Sequence, residues 1–409
     1  MSSVEKFNIG HEFSHVDPQY CDYNSTTPLP KSIAEYASKA YLGYWTNPSS
    51  PHSQSEQSKK LIKTIRTGLA RLPLSGSFEA TICGSATEAN NIALNSALSQ
   101  LGSGVLVSSP VEHASLNARL GSLDSCSYFN LLPSGQIDLN ELRERKEFGK
   151  LRVAVCQAAN NETGVVYAID ELRKTLPAEC RIVLDLSQGL GKLTNWREMI
   201  ALADYITLSP HKFYGPKGVG ILLSRTDAPL VPLLMGGGQE NGIRPGTENV
   251  PLLAMLLEWL KIFPYLQEAN SAVSSIRNDF ESVILTMFPN ALVIGSGSER
   301  LGNTSAIHVP GVDADALVAA LDAQGWAVSL GSACHSGALE PSHVYRAHGL
   351  TWDQARETVR FSFGLANPPE TGRALAQIVT HAIKRIQSIQ TADELCNAGT
   401  NNQSTDISV

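Results

Sequence analysis

The sequence has no cysteine pair at CxxC spacing and no histidine cluster at metal-ligand spacing; its seven cysteines (21, 83, 126, 156, 180, 334 and 396) are scattered over 409 residues. That pattern speaks against a structural metal clamp and fits the thiol usage of a reducing compartment. Positive charge is also scarce: 32 Lys and Arg stand against 39 Asp and Glu, a net charge of -7. Nothing here attracts a phosphate backbone or an anionic lipid surface, so neither a nucleic-acid nor a membrane partner is expected. The one basic stretch, KKLIKTIRTGLAR, spaces Leu61, Ile62, Ile65 and Leu69 as a helix does, and reads as a solvated helix face. No GxGxxG follows the first strand-like run, which argues against a dinucleotide binder. The stretch MSSVEKFNIGHEFSHVD has acidic residues and no apolar run, so neither a signal nor a transit peptide is expected. The longest apolar stretch, VPLLAMLLEWLKIF, is broken by Glu258 and Lys261 and reads as too short to span a bilayer. The expected location is the cytoplasm.

What the sequence does contain is alternation. FEATIC, GVLVSS, LRVAVC, RIVLDL and ADYITL are short Val- and Ile-rich runs bounded by turn residues, with amphipathic stretches such as ATEANNIALNSALSQLG between them. Strand–helix alternation predicts a mostly parallel sheet covered by helices. VGILLS follows ADYITL too closely for a crossover helix, so it is expected as an antiparallel neighbour. Cys156 and Cys180 read as small residues in or beside core strands. After GGGQENGIRPGTENVP a long helical pattern runs from about residue 250 to 288, followed by shorter strands ALVIG, TSAIHV and WAVSL among helices. The length exceeds what one core ordinarily holds. The expected division is a large domain over 20–264, a smaller α+β domain from 1–19 and 265–392, and a polar, aperiodic, flexible tail over 393–409.

The residues behind the strand-like runs carry the chemistry. Gly84-Ser85-Ala86-Thr87 follows the first run, Glu112-His113 the second and AANNETG the third. Asp185 ends RIVLDL with Gln188 behind it, and Ser209, His211 and Lys212 follow ADYITL. In an open parallel sheet, ligands bind beyond the carboxyl ends of the strands, so these groups converge on one rim. Singly, each has an ordinary explanation: a surface lysine in a turn, a helix-start histidine, an aspartate cap. Together they describe one site. A desolvated lysine can lose its proton and form an imine. A carboxylate opposite it suits a protonated pyridine nitrogen, a flat histidine can stack on the ring, and a small-residue turn at a helix start suits a phosphate. Lysine, aspartate and phosphate cradle together point to pyridoxal 5'-phosphate.

With these residues in place, the chain resembles the cysteine desulfurases of NifS/IscS type, in the class V aminotransferase family of fold type I. The resemblance runs from YCDYNSTTP near residue 20 to VRFSFG near residue 360. It includes GSATEANN, EHAS, ANNETG, DLSQGLGK, SPHKFYGPKG, GGGQENGIRPGTEN and GSACHSGALEPSH. It implies a large domain with a mostly parallel seven-stranded sheet, and conversion of L-cysteine to L-alanine with a persulfide left on the enzyme. By the same resemblance, Lys212 carries the cofactor and moves protons, Asp185 pairs with the ring nitrogen, Gln188 bonds the ring hydroxyl and His113 stacks on the ring and helps deprotonate the substrate. Ala86, Thr87, Ser209 and His211 hold the phosphate, and Thr247 reaches the phosphate of a neighbouring subunit, implying a homodimer. Asn161 and Arg360 grip the substrate. Cys334, in the Gly/Ser-rich run SLGSACHSG, is the implied persulfide carrier on a mobile loop, delivering sulfur to an acceptor protein for iron–sulfur cluster assembly or related sulfur trafficking. Ser85, Asn241, Pro245 and Leu365 depart from the usual family pattern. Selenocysteine lyase, C–S lyase and aminotransferase are the alternative reactions on the same fold.

Overall fold

A computed structural model describes residues 7–123, 126–331 and 340–401, the stretch 391–401 as backbone only. Seven strands form the main sheet: β1 (Phe78–Cys83), β2 (Val105–Ser108), β3 (Cys126–Tyr128), β4 (Leu151–Gln157), β5 (Arg181–Asp185), β6 (Tyr205–Leu208) and β7 (Gly220–Arg225). Their spatial order is β1-β7-β6-β5-β4-β2-β3. The run β6-β5-β4-β2-β3 is parallel, while β7 lies antiparallel to both β6 and β1, as the short β6–β7 connection requires.

Side-chain alternation sorts the strands between two cores. Val153, Val155, Val183 and Leu222 join Ile92, Ala93 and Ala97 of the helix Ala86–Ser99 on one face. Ala154, Cys156, Leu184 and Leu223 join Leu61, Ile65, Trp196 and Trp259 on the other. The covering helices are α1 (Glu56–Leu69), α2 (Ala86–Ser99), α3 (Ala114–Leu120) and α4 (Val250–Asn270). Both faces are therefore covered, which is why the central strands read as continuous apolar runs.

A second, three-stranded antiparallel sheet is ordered β10-β9-β8, from β8 (Leu292–Val293), β9 (Thr304–His308) and β10 (Thr358–Ser362). It packs with α5 (Val273–Met287) and α6 (Thr371–Asn401) around Phe280, Phe361, Phe363 and Leu375. Residues 20–27 join the two halves. Cys21 sits in the smaller core, its amide donating to the Ala327 carbonyl, while the Thr27 amide donates to the carbonyl of His211.

Several expectations need correction. The pattern over 250–288 is two helices, α4 and α5, not one. By length and composition Val250–Met287 is apolar enough to cross a membrane; here Leu253, Leu256, Trp259 and Phe263 are buried in the core. WAVSL forms only isolated bridges, Ala327 with Tyr20 and Ser329 with Arg360, so only Ser329 of this run pairs with β10. The tail expected to be aperiodic from residue 393 instead continues α6 to Asn401; extending an existing helix costs little once it is nucleated. Residues 402–409 lie outside the described ones.

Candidate active site

The parallel strands β6, β5 and β2 end at Ser209, Asp185 and the Ser109–His113 turn, and their carboxyl edge opens into a cavity of about 290 Å³. Every predicted cofactor residue of this chain except Thr247 lines it: Ala86, Thr87, His113, Asp185, Gln188, Ser209, His211 and Lys212. So do Asn161 and Arg360.

Lys212 ends a short 3-10 turn, Pro210–Lys212, directly behind β6. Its Nζ donates to the carbonyls of Asn24 (2.9 Å) and Ser25 (2.7 Å). The turn is fixed from several sides. The Thr27 hydroxyl donates to the His211 carbonyl at 2.9 Å and accepts the Tyr214 amide, and Trp259 Nε1 donates to the Phe213 carbonyl at 2.9 Å. Tyr214 adopts φ 61°, a left-handed conformation uncommon outside glycine. Strain of this kind persists only where the surroundings over-determine it, as they do here.

Asp185, in the same cavity, is held by two donors: Asn90 Nδ2 on Oδ2 (2.9 Å) and the Ser187 amide on Oδ1 (2.8 Å). Asn90 is itself fixed by Thr207, whose hydroxyl donates to Oδ1, and its Nδ2 also reaches Ser115 Oγ at 2.9 Å. Ser115 Oγ lies 2.9 Å from His113 Nδ1, and that nitrogen accepts the Ser115 backbone amide at 3.1 Å. A backbone N–H can only donate, so Nδ1 is unprotonated and the neutral ring carries its hydrogen on Nε2. Burial lowers the His113 pKa below its ordinary value against the opposing pull of Asp185; Lys212 and His343 add to the lowering. Beside it, Glu112 is fully buried; burial, then the charge of Asp185, push its carboxyl well above the usual range.

The anion cradle is built at the start of α2. Ser85 caps the helix by accepting the Glu88 amide, and Glu88 accepts the Gly84 amide at 2.6 Å. The Ala86 and Thr87 amides, which have no acceptor within the helix, are left at the cavity wall. Ser85, where glycine is usual, thus supplies the cap. Gly220 lets β7 approach this turn: a Cβ there would stand 2.1 Å from the Ser85 carbonyl. His211 Nδ1 lies 3.0 Å from the Thr26 hydroxyl, and burial together with Lys212 lowers its pKa to about 4. A neutral imidazole, hydroxyls and helix-start amides form a donor set suited to a phosphate.

On the substrate side, Arg360 is 2 % exposed on β10. Nη1 donates to the carbonyls of Asn161 (3.1 Å) and Gly331 (3.2 Å), and Nη2 to Asp22 (2.6 Å) and Ser25 (2.9 Å). Among the described residues its buried Nε has no acceptor. Gln188 is oriented by Lys192. An ammonium can only donate, so the Gln188 oxygen faces Lys192 Nζ at 2.5 Å and its Nε2 is the group that donates, to the Asn24 carbonyl at 2.9 Å.

Two predicted residues are not in this cluster. Thr247 is exposed and does not line the cavity of its own chain. Cys334 lies outside the described residues, as does its expected loop; Gly331 and His343, on either side, both line the cavity. Sequence reasoning placed Glu112 on the rim without giving it a role, and missed Asn90 and Lys192 as site residues, although GSATEANN and DLSQGLGK contain them. Their signal was position one helical turn from, or next to, a residue already chosen.

The arrangement matches known proteins. The model of the family Aminotransferase class-V covers residues 19–375. A cysteine desulfurase of Nostoc sp. is 31 % identical over 377 residues, covering 90 % of this chain and 94 % of the relative. Cysteine desulfurase IscS 1 of Archaeoglobus fulgidus is 31 % identical over 379 residues, covering 90 % and 98 %. Among solved structures, a NifS-like protein from Rickettsia africae superposes with a TM-score of 0.78 at 26 % identity, covering 89 % of this chain and 99 % of the other. SspA in complex with cysteine superposes with a TM-score of 0.70 at 28 % identity, covering 85 % and 99 %.

Proposed function

We infer the reaction from the premise that this chain belongs to the class V aminotransferase family: it is a cysteine desulfurase, removing sulfur from L-cysteine and releasing L-alanine. The observation that carries the reading is that Lys212, Asp185 and the start of α2 line one cavity. The cofactor we propose there is pyridoxal 5'-phosphate. Asp185 would hold its ring nitrogen, Gln188 Nε2 its ring hydroxyl, His113 its face, and Ala86, Thr87, Ser209 and His211 its phosphate. Bound there, it supplies an electron sink for charge released at the substrate α-carbon.

The protein's own groups do the rest. Arg360 and Asn161 bind the substrate carboxylate. Lys212 Nζ takes the α-carbon proton and redelivers it. His113 stacks on the ring; acceptance of the substrate thiol's proton, which the resemblance implies for it, would need the other tautomer, since its Nδ1 here accepts the Ser115 amide. The Cys334 thiolate then attacks that sulfur: an S–S bond forms, the Cβ–S bond breaks, and Cβ keeps the electron pair and gains a proton.

Incubation with L-cysteine is expected to yield alanine in amounts matching the sulfur released. Pyruvate as the main product would point to a β-eliminating lyase instead. Arg360→Lys is expected to raise KM for cysteine about 10- to 100-fold, with a smaller change in kcat. The planar fork is lost, and a bond to a charged partner contributes about 1.5–3 kcal/mol. An unchanged KM would remove Arg360 from the carboxylate site.

We propose a homodimer in which Thr247 reaches the cofactor phosphate of the second copy, supported by its exposure outside its own cavity. A sulfur-acceptor protein, in iron–sulfur cluster assembly or related sulfur traffic, follows from the persulfide chemistry. The free thiols of Cys21, Cys83, Cys126, Cys156 and Cys180 support a cytoplasmic setting.

A further inference from the structure

Three histidines line the cavity, and two of them are engaged at Nδ1. His113 Nδ1 accepts the Ser115 amide, and His211 Nδ1 lies 3.0 Å from the Thr26 hydroxyl. The third, His343, is bonded through its other nitrogen: Nε2 lies 3.1 Å from the backbone carbonyl of Glu112. A carbonyl oxygen can only accept, so this nitrogen carries the hydrogen, and in the neutral ring Nδ1 keeps a lone pair. Among the described residues no hydrogen bond engages that Nδ1.

The ring is held from both sides. The turn that carries the Glu112 carbonyl is fixed by Gln157, whose amide donates to Glu112 Oε1 (2.9 Å) and whose Nε2 donates to the Val111 carbonyl (2.6 Å). His343 opens the short helix His343–Ala347. Its N-cap, Ser342, accepts the Val344 and Tyr345 amides and donates its own hydroxyl to the buried carboxyl of Glu162. Glu162 follows Asn161, whose carbonyl takes Arg360 Nη1 at 3.1 Å, so His343 is tied to the end of the cavity that holds the two substrate-binding residues. The other ionisable groups around it are poor bases or are already occupied. Burial pushes the carboxyls of Glu112 and Glu162 up, toward the neutral acid, and pushes the Tyr345 hydroxyl up as well. Arg360 is a guanidinium paired with Asp22, the Nδ1 lone pair of His113 is spent on an amide, and Lys212 is assigned the α-carbon proton.

We propose that His343 is the general base of the sulfur-transfer step, its Nδ1 taking the proton of the substrate thiol. The proposal rests on the desulfurase reading above and gives that reading the base that His113, in its present tautomer, does not provide. The S–H bond breaks with its electron pair left on sulfur, and the proton bonds to the Nδ1 lone pair, making an imidazolium. When the Cβ–S bond then breaks, Cβ keeps that electron pair and needs a proton. The imidazolium holds one, so the step closes without an acid from outside the site.

The test compares the unaltered full chain, loaded with pyridoxal 5'-phosphate, with His343→Gln, whose side-chain amide can still donate to the Glu112 carbonyl but has no basic nitrogen. The visible absorbance of the bound cofactor is expected to be the same in both; its loss in the variant would place His343 with the cofactor and overturn the proposal. At pH 7 only about 3 % of a thiol of ordinary pKa, about 8.5, is ionised, so alanine formation in the first turnover is expected to slow about 10- to 30-fold. As the pH rises past about 8.5 the solvent supplies the thiolate, and the two rates are expected to converge. With L-selenocysteine, whose selenol is ionised at neutral pH without a base, they are expected to agree within about threefold. An unchanged rate with cysteine at pH 7 would overturn the proposal and leave the desulfurase reading intact, and so would a loss that is the same at every pH and with both substrates. An unaltered protein that forms no alanine would remove the reading, and the proposal with it. Should the variant misfold, nitrogen NMR of the His343 ring in the unaltered protein decides. Hydrogen on Nε2 with a bare Nδ1 supports the proposal, and a neutral ring with its hydrogen on Nδ1 overturns it.

Discussion

Asp185→Asn is expected to lower turnover of cysteine by about 100- to 1,000-fold. The carboxylate stands at the end of β5, 6 % exposed, with both oxygens fixed by donors, so neither its position nor its charge is incidental. Its proposed partner is the protonated ring nitrogen, without which the ring is a poor electron sink. Removing one partner of a buried charged pair costs about 3–5 kcal/mol, and each 1.36 kcal/mol is tenfold in rate. The substitution is nearly isosteric but not innocent. Asn90 Nδ2 and the Ser187 amide both donate to Asp185, and an amide side chain can accept at only one of its two ends. A modest loss of thermal stability, on the order of 1–3 kcal/mol, is therefore expected alongside the kinetic defect. Steady-state alanine production together with a melting curve separates the two effects. A turnover within threefold of the unaltered protein would mean that Asp185 does not serve the ring nitrogen.

Cys334→Ser is expected to abolish sulfur transfer, by two orders of magnitude or more, while the visible absorbance of the bound cofactor stays intact. The described thiols Cys21, Cys83, Cys126, Cys156 and Cys180 are all pushed up in pKa, chiefly by burial, and are poor nucleophiles. Cys156 and Cys180 sit in the core as their neighbours in the sequence implied. Cys334 belongs to the segment between Gly331, which lines the cavity, and Glu340. Serine preserves size but offers no thiolate, so substrate binding survives and the S–S bond cannot form. Measured with cysteine and a thiol acceptor, sulfide release at the normal rate would exclude Cys334 as the carrier.

The strands around the site were legible in the sequence because each is buried on two faces and bounded by turn residues. FEATIC became β1 residue for residue, and the antiparallel β7 followed from loop length alone. β3 escaped notice because three residues at a sheet edge show no alternation. WAVSL read as a strand on composition, but composition does not say how much of a run is paired: only Ser329 of it pairs with β10. The site residues were legible because parallel strands place whatever follows them on one rim. The residues that act through others were not. Asn24 joins Thr304 across 280 positions of chain, and Asn90 bonds Asp185 across 95, distances over which no local pattern can speak. That Lys192 and Lys212 share Asn24 is visible only once residues 20–27 have been laid between the two halves of the molecule.

The central claim is that the ε-amino group of Lys212 carries pyridoxal 5'-phosphate. Borohydride reduction of the purified protein, followed by proteolysis and mass mapping, tests it most directly. The account predicts a single phosphopyridoxyl group on the peptide containing Ser209–Lys217, at Lys212. A label on Lys192 or Lys217, or no label on any lysine of the cavity, would contradict it.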